Sequence, residues 1–151
     1  MDIKPSVLII EDHADVRQIL RLQLQVEGYM VAAVGDCTAA FEFLKCYKPD
    51  VILADLSLPV MTGLEFIHRA KKDASLCIIP IIAMSAFDQK YLDAAMVAGA
   101  DAVLRKPIEF ATLVSAVQKA AAHKMPPDPS EVCIEASTTP ASRRGFSGDS
   151  A

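Results

Sequence analysis

Between residues 7 and 123 the chain alternates short, near-continuous apolar runs with longer stretches in which apolar residues recur every three or four positions. The runs at 7–10, 30–34, 51–54, 81–84 and 102–104 predict five buried strands. The stretches between and after them predict five helices, each with one buried face. Residues 14–27 carry Val16, Ile19 and Leu20; 38–45 carry Ala40, Phe43 and Leu44; 64–72 carry Leu64, Ile67 and Ala70. Residues 91–98 carry Leu92, Ala95 and Met96, and 109–123 carry Phe110, Leu113, Val114 and Val117. Asp36 and Asp88 stand where helix N-caps are wanted, and Gly28 and Gly99 follow helix ends where a left-handed residue fits.

Strict alternation of buried strand and amphipathic helix implies a parallel sheet covered on both faces. Right-handed crossovers then give a doubly wound α/β sandwich. After His123 the pattern stops: Pro, Ser, Thr and Gly fill 13 of the 28 positions from 124 to 151. The expected organisation is one domain over 1–123 and a disordered tail over 124–151.

Composition narrows the function by exclusion. With 52% hydrophobic and 23% charged residues the chain reads as globular. Its longest apolar stretch, 77–84, spans eight residues and contains Pro80, far short of the roughly 20 that cross a bilayer. The first apolar run leads straight into Glu11 and Asp12, unlike a secretory leader, so a cytoplasmic protein with no membrane partner is expected. A net charge of −4 argues against direct nucleic-acid binding. Cys37, Cys46, Cys77 and Cys133 match no zinc spacing and read as reduced thiols, with Cys77 buried. His13, His68 and His123 lie too far apart in sequence to share a helical face.

Ligands of open parallel sheets bind at the carboxyl ends of the strands, so the residues closing each run are the candidates. Run 7–10 is followed by Glu11 and Asp12, run 51–54 by Asp55, run 81–84 by Ser85, and run 102–104 by Arg105, Lys106 and Pro107. Three carboxylates, a hydroxyl and an ammonium thus converge on one edge. The second run ends in Gly35 and Asp36 and adds nothing obvious, as expected of an edge strand in a sheet ordered 2-1-3-4-5. Three acids packed together repel and drift toward neutrality unless a cation holds them charged. Oxygen donors of this kind suit Mg²⁺ rather than zinc. Asp55 is then placed to attack phosphorus and form an aspartyl phosphate. Mg²⁺ and Lys106 supply the positive charge that phosphoryl transfer demands.

Together Glu11-Asp12, the segment from Asp55 through Ser57, Pro59, Val60, Met61 and Thr62 to Gly63, Ser85-Ala86 and Lys106-Pro107 resemble the response regulator receiver domain of two-component signalling, over about residues 5–123. The resemblance implies a flavodoxin-like (βα)5 fold, Asp55 as phosphoacceptor, and Glu11, Asp12, Asp55 and the Ser57 carbonyl as Mg²⁺ ligands. It also implies that Ser85 and Lys106 bind the phosphoryl group and that Lys106-Pro107 is a cis peptide. One departure is Val103, where relatives usually carry the Tyr or Phe that rotates on activation. Phe87 falls where relatives set water access to the phosphoryl group.

The implied partners are a histidine kinase or histidine phosphotransfer protein upstream and an unidentified protein target downstream, with a phosphorylation-dependent dimer as a further option. No output domain is evident, so a stand-alone phosphoacceptor rather than an enzyme is expected, signalling through switched contacts. Two alternatives stay open. An aspartyl-phosphate phosphohydrolase commonly carries a second acid two residues after the nucleophile, where this chain has Ser57. An unphosphorylated receiver-like interaction module would more naturally lack Asp55 or Lys106.

Overall fold

The structure is a computed structural model that describes residues 5–86 and 88–122. Phe87, His123 and the expected tail over 124–151 lie outside the described residues.

Among the described residues five strands and five helices alternate. They are β1 (Ser6–Ile10), α1 (Ala14–Val26), β2 (Met30–Val34), α2 (Cys37–Cys46), β3 (Val51–Asp55), α3 (Gly63–Lys72), β4 (Ile81–Ser85), α4 (Gln89–Ala98), β5 (Ala102–Arg105) and α5 (Phe110–Ala122). All pairings are parallel and the sheet order is β2-β1-β3-β4-β5, the flavodoxin-like arrangement. Strands β3, β4 and β5 each run one residue past the apolar run that predicted them, so Asp55 and Ser85 are terminal strand residues rather than the first loop residues.

The two faces of the sheet explain why the strands lack alternation. Successive strand residues point to opposite sides. Leu8, Ile10, Ile52, Ala54, Ile81 and Ala83 face one core, with Phe66 and Ile67 of α3 and Ala40 and Leu44 of α2. Val7, Ile9, Val51, Leu53, Ile82 and Met84 face the other, with Leu20 and Leu24 of α1 and Leu113 and Val117 of α5. Both sides are dry, so every position in β1, β3 and β4 is buried. Edge strand β2 is more exposed, and Met30 keeps 60% of its surface.

Three expectations need correction. Ile19, Met96 and Phe110 are 55%, 48% and 38% exposed, because the buried stripes are narrower than expected and run through Leu20 and Leu24 on α1, Leu92 and Ala95 on α4, and Leu113, Val117 and Ala120 on α5. Asp88 occupies the N-cap position of α4 but makes no side-chain capping bond, whereas Asp36 caps α2 by accepting from the Ala39 amide at 2.7 Å. Cys77 is half-buried and disulfide-bonded rather than a buried free thiol; Cys37 and Cys46 are free.

The segment joining β3 to α3 is anchored at both ends. Leu56 and Leu58 are buried, and the Gly63 amide donates to the Leu56 carbonyl at 3.1 Å. Thr62 then starts α3 with a reciprocal cap: its hydroxyl accepts from the Glu65 amide and the Glu65 carboxylate accepts from the Thr62 amide. Between these anchors Met61 N–H donates to the Pro59 carbonyl at 2.7 Å, closing a three-residue turn centred on Val60 at φ 66°. A positive φ at a β-branched residue is sterically unfavourable by about 1–2 kcal/mol. Closure of the loop between two fixed ends imposes it.

Gly63 is required by contact, not by dihedral angle. A Cβ there would stand 2.3 Å from the Asp55 carbonyl oxygen and 2.6 Å from Leu56 Cα, both main-chain atoms that cannot swing away. Gly63→Ala is expected to lower unfolding free energy by about 2–3 kcal/mol through forced separation of β3 and α3, as read from urea-induced unfolding.

Candidate functional site

The order β2-β1-β3 means that the chain leaves β1 to one side and returns on its other side. Above β1 and β3 the flanking segments diverge and leave a crevice at the strands' carboxyl ends. Glu11 and Asp12 follow β1 there, and Asp55 ends β3. Each of the three offers a carboxylate oxygen, all lying within 4.8 Å of one another. Asp12 is exposed, while Glu11 and Asp55 are 1% and 4% exposed, so two of the acids have little water to stabilise their charge.

Lys106 supplies the compensation. Its Nζ donates to Glu11 Oε1 at 2.7 Å and lies 3.3 Å from Asp55 Oδ2, so one ammonium bridges both buried carboxylates. The remaining oxygens are also engaged: the His13 amide donates to Glu11 Oε2 at 3.2 Å, and the Ser57 amide donates to Asp55 Oδ1 at 3.1 Å. Burial pushes the Glu11 pKa up, and the Asp55 charge adds to that; its bonds to Lys106 and His13 pull the other way without cancelling it. Burial alone would lower the Lys106 pKa, but its bonds to Glu11 and Asp55 and their charges outweigh that and raise it.

Sheet register delivers the remaining groups. Asp55 pairs with Met84, so Ser85 stands one residue beyond the level of Asp55 on the adjacent strand, fully buried. Ser85 pairs in turn with Arg105, and the Lys106 amide donates to the Ser85 carbonyl at 2.8 Å, continuing the ladder. The Lys106-Pro107 peptide is cis. Arg105 is exposed. Ser57 meets Asp55 through its amide, and the side chain is exposed.

Sequence reading passed over two contributors. Gly63 closes the motif segment but received no role of its own; its closeness to the Asp55 carbonyl makes it part of the platform beneath that residue. Arg17, on α1, donates from Nη1 to the Glu11 carbonyl at 2.8 Å. Its helical position held no clue, because the contact depends on how α1 packs beside the end of β1.

A five-stranded doubly wound sheet with acids at its switch point, a hydroxyl on β4 and a lysine after β5 defines the class of phosphoacceptor signalling modules. The comparisons with known proteins agree. The response regulator receiver domain profile matches residues 7–118, and the chain belongs to this family. Transcriptional regulatory protein PdtaR of Mycobacterium tuberculosis is 38% identical over 116 residues, covering 76% of this chain and 55% of that protein. The chain spans about half the length of the curated relatives it matches. Among solved structures, the signal receiver domain of a signal transduction histidine kinase from Syntrophus aciditrophicus is 26% identical with a TM-score of 0.76, covering 83% of this chain and 96% of that one. The receiver domain of a sensor histidine kinase from Pseudomonas aeruginosa PAO1, 27% identical with a TM-score of 0.73, covers 79% of this chain and 98% of its own, and holds a magnesium ion in its active site cleft. No helix among the described residues is long and apolar enough to cross a membrane.

Removing the ammonium strands Glu11 beside Asp55. In metal-free buffer, Lys106→Met is expected to destabilise the fold by about 1–3 kcal/mol near pH 7.5. The raised Glu11 pKa means that protonation neutralises the stranded acid above the ordinary carboxylate range, so the deficit shrinks as pH falls toward 5. Urea unfolding of both chains at the two pH values measures this difference.

Proposed function

We propose that this chain is a phosphorelay receiver that accepts a phosphoryl group on Asp55, with Mg²⁺ held by Glu11, Asp12, Asp55 and the Ser57 carbonyl. The observation that carries the reading is the bridge from Lys106 to Glu11 and Asp55 beside an exposed third acid, Asp12. A buried carboxylate fixed by an amide and an ammonium is a positioned nucleophile, and three carboxylates with oxygens this close suit a hard divalent cation.

A histidine kinase or histidine phosphotransfer protein is the donor in this reading. An Asp55 oxygen bonds to phosphorus as the P–N bond of phosphohistidine breaks, and the imidazole departs with the electron pair. Mg²⁺ supplies charge neutralisation for the phosphoryl oxygens. Lys106 neutralises the same oxygens, Glu11 holds Lys106 in reach, and the Ser57 amide keeps the acceptor oriented. Ser85 donates its hydroxyl to the transferred group. The chain is an acceptor that carries one phosphoryl group, not an enzyme turning over foreign phosphate esters, and it works in the cytoplasm.

Signalling follows from what the new group recruits. A charge-assisted bond from Ser85 contributes about 1.5–3 kcal/mol, roughly a tenfold to 150-fold shift between two states. A complete switch from 1:99 to 99:1 needs about 5.5 kcal/mol, so Lys106 must also exchange partners. Val103 is partly buried against the α2–α3–α4 core and provides no aromatic ring to swing. The change therefore passes through β4, α4, β5 and α5 to a protein target or a second copy of the chain.

Incubation with a small phosphodonor and Mg²⁺ is expected to add the mass of one phosphoryl group to the parent chain and none to Asp55→Asn, with chelation of the metal abolishing the gain. Sustained release of phosphate from unrelated esters would favour a hydrolase, and an unchanged parent mass would favour an interaction module. Ser85→Ala is expected to accept phosphate yet shift only partly. Amide chemical shifts of α4 and β5 before and after phosphorylation measure that fraction, and a full response would remove Ser85 from the switch.

A further inference from the structure

We infer that Arg17 is a positioning residue for the acidic site, fastening Glu11 in place through its main chain. This rests on the receiver reading above for its consequence but not for its geometry. Glu11 is the pivot of the site, yet it lies one residue beyond the end of β1, where the ladder offers only one further bond, from its amide to the Val34 carbonyl at 3.1 Å. The carbonyl of the same residue turns to α1 instead and accepts from Arg17 Nη1 at 2.8 Å. That carbonyl begins the turn into Asp12 and His13, whose amide holds Glu11 Oε2. Arg17 thus ties the first turn of α1 to the acidic loop at its root.

Gly35 provides the space. It follows β2 directly, and a Cβ there would stand 3.2 Å from Arg17 Nη1, tighter than ordinary contact, and 3.9 Å from its Cζ, in ordinary contact. Gly35 does not have a left-handed backbone, so the guanidinium, not the dihedral angle, is what a side chain at this position would disturb. Three segments therefore meet at one guanidinium: the end of β1, the end of β2 and the start of α1. The sequence reading assigned the β2 end no role in the site; here it supplies the clearance for the residue that orders Glu11.

Charge and position predict opposite effects, which makes the inference testable. Arg17 is a cation beside a cation site, so deleting it for electrostatic reasons alone would tighten Mg²⁺ binding. Loss of positioning weakens it. By calorimetry with Mg²⁺ alone, Arg17→Ala is expected to bind about tenfold more weakly than the parent chain, the lower end of what losing an outer-shell partner costs. Arg17→Lys, which keeps a donor, recovers part of the loss. Gly35→Ala weakens binding in the same direction by less, and combining it with Arg17→Ala gives no further loss, since the two act through one contact.

A metal-free readout accompanies these. In Arg17→Ala the Glu11 and His13 amides are expected to exchange hydrogen faster while those of Ile52, Leu53 and Ile82 in the core strands are unchanged. Mg²⁺ binding by Arg17→Ala equal to or tighter than the parent, or unchanged exchange at Glu11, would overturn the inference. If the parent chain itself takes up no Mg²⁺, the phosphoacceptor reading fails, and the exchange measurement still decides whether Arg17 fastens Glu11. If Arg17→Ala does not fold, Gly35→Ala decides by the same two measurements.

Discussion

Two buried carboxylates sharing one ammonium is the arrangement on which the rest of this structure turns. Glu11 and Asp55 are nearly inaccessible to water, and the Lys106 bridge, two amide donors and the exposed neighbour Asp12 surround their charge. Such a cluster is stable only when every oxygen has a partner.

The surrounding fold is shaped to hold that cluster still. Parallel register sets the levels of Asp55 and Ser85, and Ser85's carbonyl accepts the amide of Lys106, so the carboxylate, hydroxyl and ammonium are levelled by one hydrogen-bond ladder. Behind Asp55, α3 begins so close that only glycine fits at position 63, and the connecting loop accepts a left-handed Val60 to make that approach. Local strain at an exposed β-branched residue is thus offset by burial of Leu56 and Leu58 and by the Thr62–Glu65 cap.

Output is where this chain parts from the common pattern of its family. Val103 pairs with Ala83 and packs against the core shared with α2, α3 and α4. With two small side chains at that level, the function proposed above leaves switching to Ser85, Lys106 and the main chain that joins them. Tyr91, Met96 and Val97 are the exposed large apolar residues of α4.

The five strands, their parallel pairing, the edge position of β2 and the gathering of the strand-end acids with Lys106 were all legible in the sequence, because buried parallel strands leave continuous apolar runs and open sheets bring the residues that follow those runs to one edge. Even the one-residue extensions at Asp55 and Ser85 changed no candidate. Local pattern carries such information because it reflects which face of each element is dry. Tertiary structure alone decided contacts between residues whose own helices and loops say nothing of each other: Gly63 against Asp55, Arg17 against Glu11, and the Lys106 bridge. It also turned Ile19 outward and left Asp88 without a capping bond. Those outcomes depend on the distance and angle between packed elements, which hydrophobic periodicity does not encode.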